Sequence, residues 1–407
     1  MALLNGIDAS RKWFKSWSES AQSFLLAAIG LMTFFGLTVH DVWPTKGIFW
    51  IFCAPTTLWI LIRQQGYLDL WRSKPMRWAF GILLLYLISV YWSEPTTGYY
   101  QGKIQRHTLQ TWLFVVALFF AFKSSTFHKV QFARLLILSC GISALTAFIV
   151  FYQEHSFAER LIGHSHLLYW SSVGPAVMLG CLITSGLLMY EQKSSSNVLW
   201  LMAGFFVVGF FVFMSQARTP LISFACLSFF WGWFYFGIRK TCGVLTALIV
   251  VSVIIVLVNS SLHDSWNRHI STGLSGRDVI WKYVLQGFFS KPWFGHGAAS
   301  IFTESVSGKA ISDSLGRVIY HPHGLLFSVL FYFGLTGLVV WLGYLASFSK
   351  MLVNKDIKWF AMSALFCLIL LVATDFYKLV SEMGIHWWFW WLPTIAFISV
   401  AGAEKTE

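Results

Sequence analysis

The chain is a succession of apolar runs of about 20 residues, each closed by a short polar link, and that length suits an α-helix crossing the hydrocarbon core of a bilayer. Alternation at period two is largely absent, which speaks for helices and against a transmembrane barrel. The runs fall at 21–40, 47–63, 78–92, 109–122, 132–152, 167–190, 197–214, 219–238, 242–258, 323–348, 358–375 and 384–401, so about twelve membrane helices are expected. The 78–92 and 109–122 runs are short unless their polar flanks extend the helix. One link stands apart. Residues 259–322 form a loop long enough to fold as a small layer outside the membrane. The expected organisation is helices 1–9 over residues 1–258, the loop with an amphipathic helix over 259–322, and helices 10–12 with a short tail over 323–407.

Composition agrees with this pattern. Hydrophobic residues make up 57% of the chain and charged residues 11%, whereas a soluble domain carries about 25% charge. The mean hydropathy is +0.65. The formal charge of +12 could suggest nucleic acid, but cytoplasmic loops of membrane proteins collect Lys and Arg for a simpler reason. Placing the N-terminus inside puts Arg63, Arg72, Lys74 and Arg77 in one inner link and Lys350, Lys355 and Lys358 in another. The short outer links then hold only Lys46, Lys103, Arg106, Arg160, Arg218 and Lys378. Both termini are therefore expected in the cytoplasm. No cleavage pattern follows the first apolar run, so it is read as a retained span. Cys53, Cys140, Cys181, Cys226, Cys242 and Cys367 all fall in or at the ends of apolar runs without a Cys-x-x-Cys pair. They read as small apolar residues and not as disulfides or metal ligands.

Four outer stretches carry candidate chemistry. In "FMSQARTPLIS", Arg218 lies in a very short link and Pro220 opens the next helix. An arginine so close to the bilayer either meets a charged partner in a cavity or reaches headgroup phosphates. In "LSGRDVIWKYVLQGFFSKPWFG", Ser275 and Asp278 form a capping box, which puts Arg277 in the first turn of an outer helix. A cation there opposes the helix dipole, which suggests an anionic partner; a solvated surface arginine is the plainer alternative. In "YHPHG", Pro322 is expected to start the next helix, with His321 near its N-cap and His323 in its first turn. A neutral imidazole there could accept a proton, or simply cap the helix. Zinc on His296, His321 and His323 is disfavoured, because no Cys or H-E-x-x-H pattern accompanies them. In "FYQEHSFAERLIGHSH", Arg160 is retained as a possible anion contact among loop residues that are otherwise hydrated.

Outer carboxylates are sparse and no D-x-D pattern could hold a divalent ion. A diphosphate leaving group would have to be met by arginine instead. It departs without a general acid, so one base acting on an attacking hydroxyl would suffice. Together, "SQARTPLI", "LSGRDVIWKYVLQGFFSKPWFGHG" and "HPHGLLFSVLFYFGLTG", in that order around a long outer loop, resemble the O-antigen ligase family. That family shares its C-terminal domain with O-antigen polymerases and protein O-oligosaccharyltransferases. The resemblance covers about residues 200–345 and implies an all-α polytopic bundle of the GT-C type in a bacterial inner membrane, with the long loop and the active site facing the periplasm. It implies inverting glycosyl transfer, without metal or other cofactor, from undecaprenyl-diphosphate-linked polysaccharide to a sugar hydroxyl of lipid A–core, as in lipopolysaccharide assembly. Carried over by motif, Arg218 and Arg277 would hold the diphosphate and His323 would be the catalytic base. Arg160 and His321 are possible further substrate contacts. The family usually has His-Asn where this chain has His323-Gly324, which leaves the sharing of roles between His321 and His323 open. A polymerase or protein O-oligosaccharyltransferase would use the same chemistry. A lipid-linked sugar transporter would instead need charged residues near the midplane, for which only Glu154 and Asp375, near span ends, are at hand.

Overall fold

A computed structural model describes residues 2–63, 66–157, 159–169, 173–190, 192, 194–258, 276–349, 355–374, 376, 378–382 and 384–402. Among them the chain is all-helical. In order the helices are α1 (Ala2–Thr38), α2 (Trp43–Ile48), α3 (Ala54–Arg63), α4 (Gly66–Arg72), α5 (Lys74–Ser89), α6 (Gly98–Ala121), α7 (Thr126–Tyr152), α8 (Gly174–Tyr190), α9 (Ser195–Ser215), α10 (Arg218–Phe236), α11 (Ile238–Val258), α12 (Arg277–Ser290), α13 (Val306–Leu315), α14 (Leu325–Ser349), α15 (Lys355–Thr374) and α16 (Leu392–Gly402). π-helical turns at Phe49–Cys53 and Trp387–Trp391 join α2 to α3 and lead into α16.

Among the described residues seven helices are long and apolar enough to cross a membrane, and Gly174–Tyr190, Lys358–Ala373 and Trp387–Val400 are shorter apolar helices. The described residues are thus all-helical in their regular structure and consistent with a multi-span membrane protein. A helix lies over each apolar run read from the sequence, and the two short runs are indeed lengthened by their polar flanks, to Lys74–Ser89 and Gly98–Ala121. The sixth run is corrected at its start. The expected 167–190 helix begins at Gly174, because Leu168 is held in a turn by bonds to Ser165 and Gly163.

Helix starts follow local chemistry. Thr97, Ser125, Ser194 and Ser305 each accept a backbone N–H in the first turn of the helix they precede, as short hydroxyl side chains do at N-caps. Every residue of α8 is buried, which makes it the centre of the bundle, against α7, α9 and α16. Gly180 lets the Trp387–Trp391 turn approach it; a Cβ there would come within 2.5 Å of the Trp388 carbonyl oxygen. Trp387, Trp388, Trp390 and Trp391 are fully buried. Trp387 stacks on Phe114 at 4.3 Å, and its N–H donates to Thr111 Oγ1 at 3.1 Å. These rings are core, not interface anchors. Cys242 is exposed and Cys226 half-buried, whereas Cys53, Cys140, Cys181 and Cys367 are buried as expected.

The segment 291–297, from the long loop, packs into the bundle. Helix α14 is broken at Gly334, which has φ 62° and ψ −152°. Pro292 to Gly297 wedge into that break. Leu335 and Thr336 donate to the carbonyls of Pro292 and Trp293 at 2.8 and 3.1 Å, while His296 and Gly297 donate to those of Phe331 and Tyr332 at 2.9 and 2.8 Å. Backbone groups freed by a helix break inside a bundle need such partners, because no water replaces them. Glycine is required where the two chains meet. A Cβ on Gly334 or on Gly295 would lie 2.5 Å from backbone atoms across the wedge. The other side of the loop is fastened to the end of α5: Ala298 and Ala299 donate to Ser89 and Ser93 hydroxyls, and the Trp92 indole donates to the Phe294 carbonyl.

Candidate functional site

Arg218, Arg277 and His323 each stand where a helix begins, next to or in a left-handed backbone turn. Helix α9 ends at Ser215; Gln216 takes φ 52°, Ala217 is extended, and Arg218 is the first residue of α10. Gly276, with φ 80°, precedes Arg277, the first residue of α12. The expected capping-box serine, Ser275, lies outside the described residues, as do the rest of 259–274 and Asp375. With Gly276 at the N-cap, Arg277 still opens the helix and Ile280, Val284, Gly287 and Phe288 form its buried face.

The expected placement of His323 is corrected. Pro322 does not start the helix. His323 has φ 51° and Gly324 φ 101°, and α14 begins at Leu325 with Ser328 N–H bonded to the Gly324 carbonyl at 3.0 Å. The reason is a close approach: a Cβ at residue 324 would sit 2.6 Å from the Ala373 carbonyl oxygen at the end of α15. In this chain, position 324 therefore has a steric need for glycine. Asparagine tolerates left-handed backbone better than most residues, but at this φ and this distance only glycine fits without a shift.

The same end of α15 draws in Arg218. Helices α10 and α15 run antiparallel: Tyr235 and Trp231 meet Phe360, and Phe230 meets Phe366. As many residues separate Arg218 from Trp231 as separate Ala373 from Phe360, so the start of α10 lies level with the end of α15. The third start is tied in by Trp281, one turn beyond Arg277. Its N–H donates to the His323 carbonyl at 2.6 Å, and its ring stacks on Phe327 at 4.7 Å and 11°. The beginnings of α10, α12 and α14 therefore gather around the C-terminal end of α15. Helix N-termini present unbonded N–H groups and partial positive charge, and with two arginines they form an anion-attracting surface.

His321 and His323 face each other with ring centroids 4.1 Å apart. Burial, the His323 charge and the Lys378 charge push the pKa of His321 down to about 3. It is a neutral imidazole at pH 7. His296 lies elsewhere, stacked on Phe331 at 4.4 Å with Nε2 3.1 Å from the Gly287 carbonyl, and burial lowers its pKa. Among the described residues no three His, Cys, Asp or Glu side chains gather closely enough to hold a metal ion. Arg160 is exposed. Its neighbour Leu161 donates to the Met214 carbonyl at 3.0 Å, which brings that link to the turn before Arg218.

The sequence reading missed a polar cluster between α2, α6 and the link after α15. Lys46 pairs with Glu382 at 2.9 Å, and His107 Nε2 is 3.7 Å from the same carboxylate. The bond from Lys46 holds the Glu382 carboxyl below its usual range. Lys378, whose charge reaches His321, lies in this link too. A signal was available in "KLVSEMGIH", a polar link between two apolar runs, at the same end of the bundle as "YHPHG".

The architecture so far is that of a multi-span helical membrane protein with a cationic, histidine-bearing surface at one end of the bundle. Comparison with known proteins narrows this. The sequence model of a family described as O-antigen ligase matches residues 203–342, from α9 to α14. The chain is 23% identical to an O-antigen ligase of Pseudomonas aeruginosa over 355 residues, covering 85% of this chain and 82% of that one. It is 22% identical over 288 residues to a candidate polysaccharide ligase of Rickettsia typhi, covering 68% of each. A similar protein of Rickettsia prowazekii is 21% identical over 300 residues. The resemblance read in the three motifs is matched by this family model, over residues 203–342.

Proposed function

We propose that this protein is an O-antigen ligase: an inverting, metal-independent glycosyltransferase that moves a polysaccharide from undecaprenyl diphosphate to a sugar hydroxyl of lipid A–core. It works in the inner membrane of a bacterium as a bundle of about twelve spans of GT-C type. Its active site faces the periplasm and both termini face the cytoplasm. The observation that carries the reading is the gathering of three helix starts, bearing Arg218, Arg277 and the His321–His323 pair, at the end of α15.

In this mechanism His323 takes the proton of the acceptor hydroxyl as its oxygen attacks the anomeric carbon. The bond from that carbon to the diphosphate oxygen breaks on the opposite face, so the configuration inverts. The diphosphate leaves with the electron pair and needs no proton, because Arg218, Arg277 and the helix starts meet its charge. His321 and Arg160 would contact the sugar or the phosphate flank. A removed base costs on the order of 100- to 10,000-fold in such a step.

The test is transfer by purified protein between a lipid-linked donor and a core acceptor, with product linkage determined. Arg218→Ala, Arg277→Ala and His323→Ala are each expected to abolish transfer while the protein stays folded, and wild-type activity should persist in strong chelator. Wild-type turnover by His323→Ala would end the base assignment. A loss in chelator reversed by Mg²⁺ would require a metal. In cells, loss of a ligase leaves bare core and accumulates lipid-linked polymer, whereas loss of a polymerase leaves single repeats on core.

A further inference from the structure

We infer that Trp281 is a positioning residue for His323, acting through the peptide group and not through the substrate. The inference rests on the reading of His323 as the base, and it deepens that reading by adding a residue that no part of it uses.

The geometry is specific. The Trp281 indole N–H reaches the His323 carbonyl oxygen at 2.6 Å, a short bond for an N–H donor. The ring cannot swing away, because Phe327 stacks beneath it at 4.7 Å and 11°. The carbonyl it grips belongs to a residue in left-handed backbone, φ 51°, a conformation uncommon for any residue but glycine. On the other flank Gly324, φ 101°, rests against the Ala373 carbonyl with no room for a Cβ. The peptide joining His323 to Gly324 is thus held between Trp281 and the end of α15, and its orientation sets the direction in which the imidazole leaves the backbone. Trp281 also stands four residues after Arg277, on the same side of α12. One helix therefore carries both an arginine assigned to the leaving group and the donor that sets the base, which fixes their spacing.

A base displaced by about 1 Å can lose on the order of 100-fold in rate while substrate still binds. The experiment compares Trp281→Phe, which keeps a stacking ring and removes the donor, with Phe327→Leu, which weakens the stack and keeps the donor. Both are measured in purified protein for kcat, for KM of the lipid-linked donor and for thermal unfolding. The expected result for Trp281→Phe is a kcat lower by about 10- to 100-fold, with donor KM within about twofold and unfolding unchanged. Trp281→His, which restores a ring N–H, should recover part of the loss. A Trp281→Phe protein with wild-type kcat overturns the inference. So does a kcat loss that Phe327→Leu reproduces in full, since that outcome means packing alone. If Trp281→Phe does not fold, replacing the indole N–H by sulfur in the same ring system, through an unnatural amino acid at position 281, keeps the shape and asks the same question. His323→Ala separates the two ideas: if it is active, the base reading falls; if it is inactive and Trp281→Phe is not impaired, only the positioning role falls.

Discussion

At the scale of single residues, left-handed backbone marks the candidate site. Gln216, Gly276, His323 and Gly324 all have positive φ, and each lies within two residues of a candidate group. Alanine at position 324 should therefore lower both stability and transfer, by about 1–3 kcal/mol in the former, read from thermal unfolding in detergent. Asparagine should be no better tolerated, because the Ala373 carbonyl blocks any Cβ. Protonation gives a second prediction. His321 has its pKa pushed from 6.5 to about 3, so the unfolded chain binds a proton there that the folded protein refuses. Its contribution to stability is lost as pH falls from about 6.5 towards 3. His321→Gln should flatten the acid side of a stability-against-pH curve. Glu382 acts over a lower range. Its carboxyl sits below the usual 4.5, so its pairing with Lys46 stabilises above that value and is lost as pH falls through the depressed one. Both partners are partly exposed, and Glu382→Gln should cost no more than about 1 kcal/mol at pH 7.

At the scale of elements, the wedge of Pro292–Gly297 in α14 is the feature that most separates this fold from its hydropathy profile. Gly334→Ala adds a Cβ 2.5 Å from the Pro292 carbonyl oxygen at a left-handed position. It should cost about 1–3 kcal/mol and loosen the loop, measurable as faster proteolysis between α12 and α14. The positions of the helices were legible because most apolar runs are long and most polar links short. The break was not legible. "FYFGLTG" is uninterrupted in hydropathy, and a glycine in an apolar helix is compatible with packing, bending or rupture alike. The motif "KPWFGHG" was visible as a unit, yet its partner lies across the fold in backbone atoms that leave no trace in side-chain pattern. The same holds for His323: "YHPHG" promised a helix start, but the approach of Ala373 that turns the backbone left-handed comes from a distant element. Arg218 and Arg277 were placed well because a short link and a Gly-Arg-Asp start are local signals. Their gathering around α15 was not local at all.

At the scale of the molecule, the candidate site occupies one end of the bundle, and the proposed function requires that end to face outside. Tyr320, 74% exposed beside His321, and Ser195, the first residue of α9, should lie on opposite membrane faces. In a variant with exposed Cys242 replaced by serine, Tyr320→Cys should react with an impermeant thiol reagent in spheroplasts, and Ser195→Cys only after permeabilisation. The opposite pattern would turn the protein over and remove the periplasmic site. The broken helix has a further consequence for how the protein is made. Residues 291–297 leave the ribosome before residues 325–349, and the latter enter the membrane as one continuous apolar stretch that needs no interruption to be inserted. The strip that supplies the bonds across the break at Gly334 is thus made before the helix it interrupts, and the break is expected to form only once the two meet. On that expectation, assembly finishes with a local unmaking of helix, completed when an earlier-made strip of chain supplies the bonds that the helix gives up.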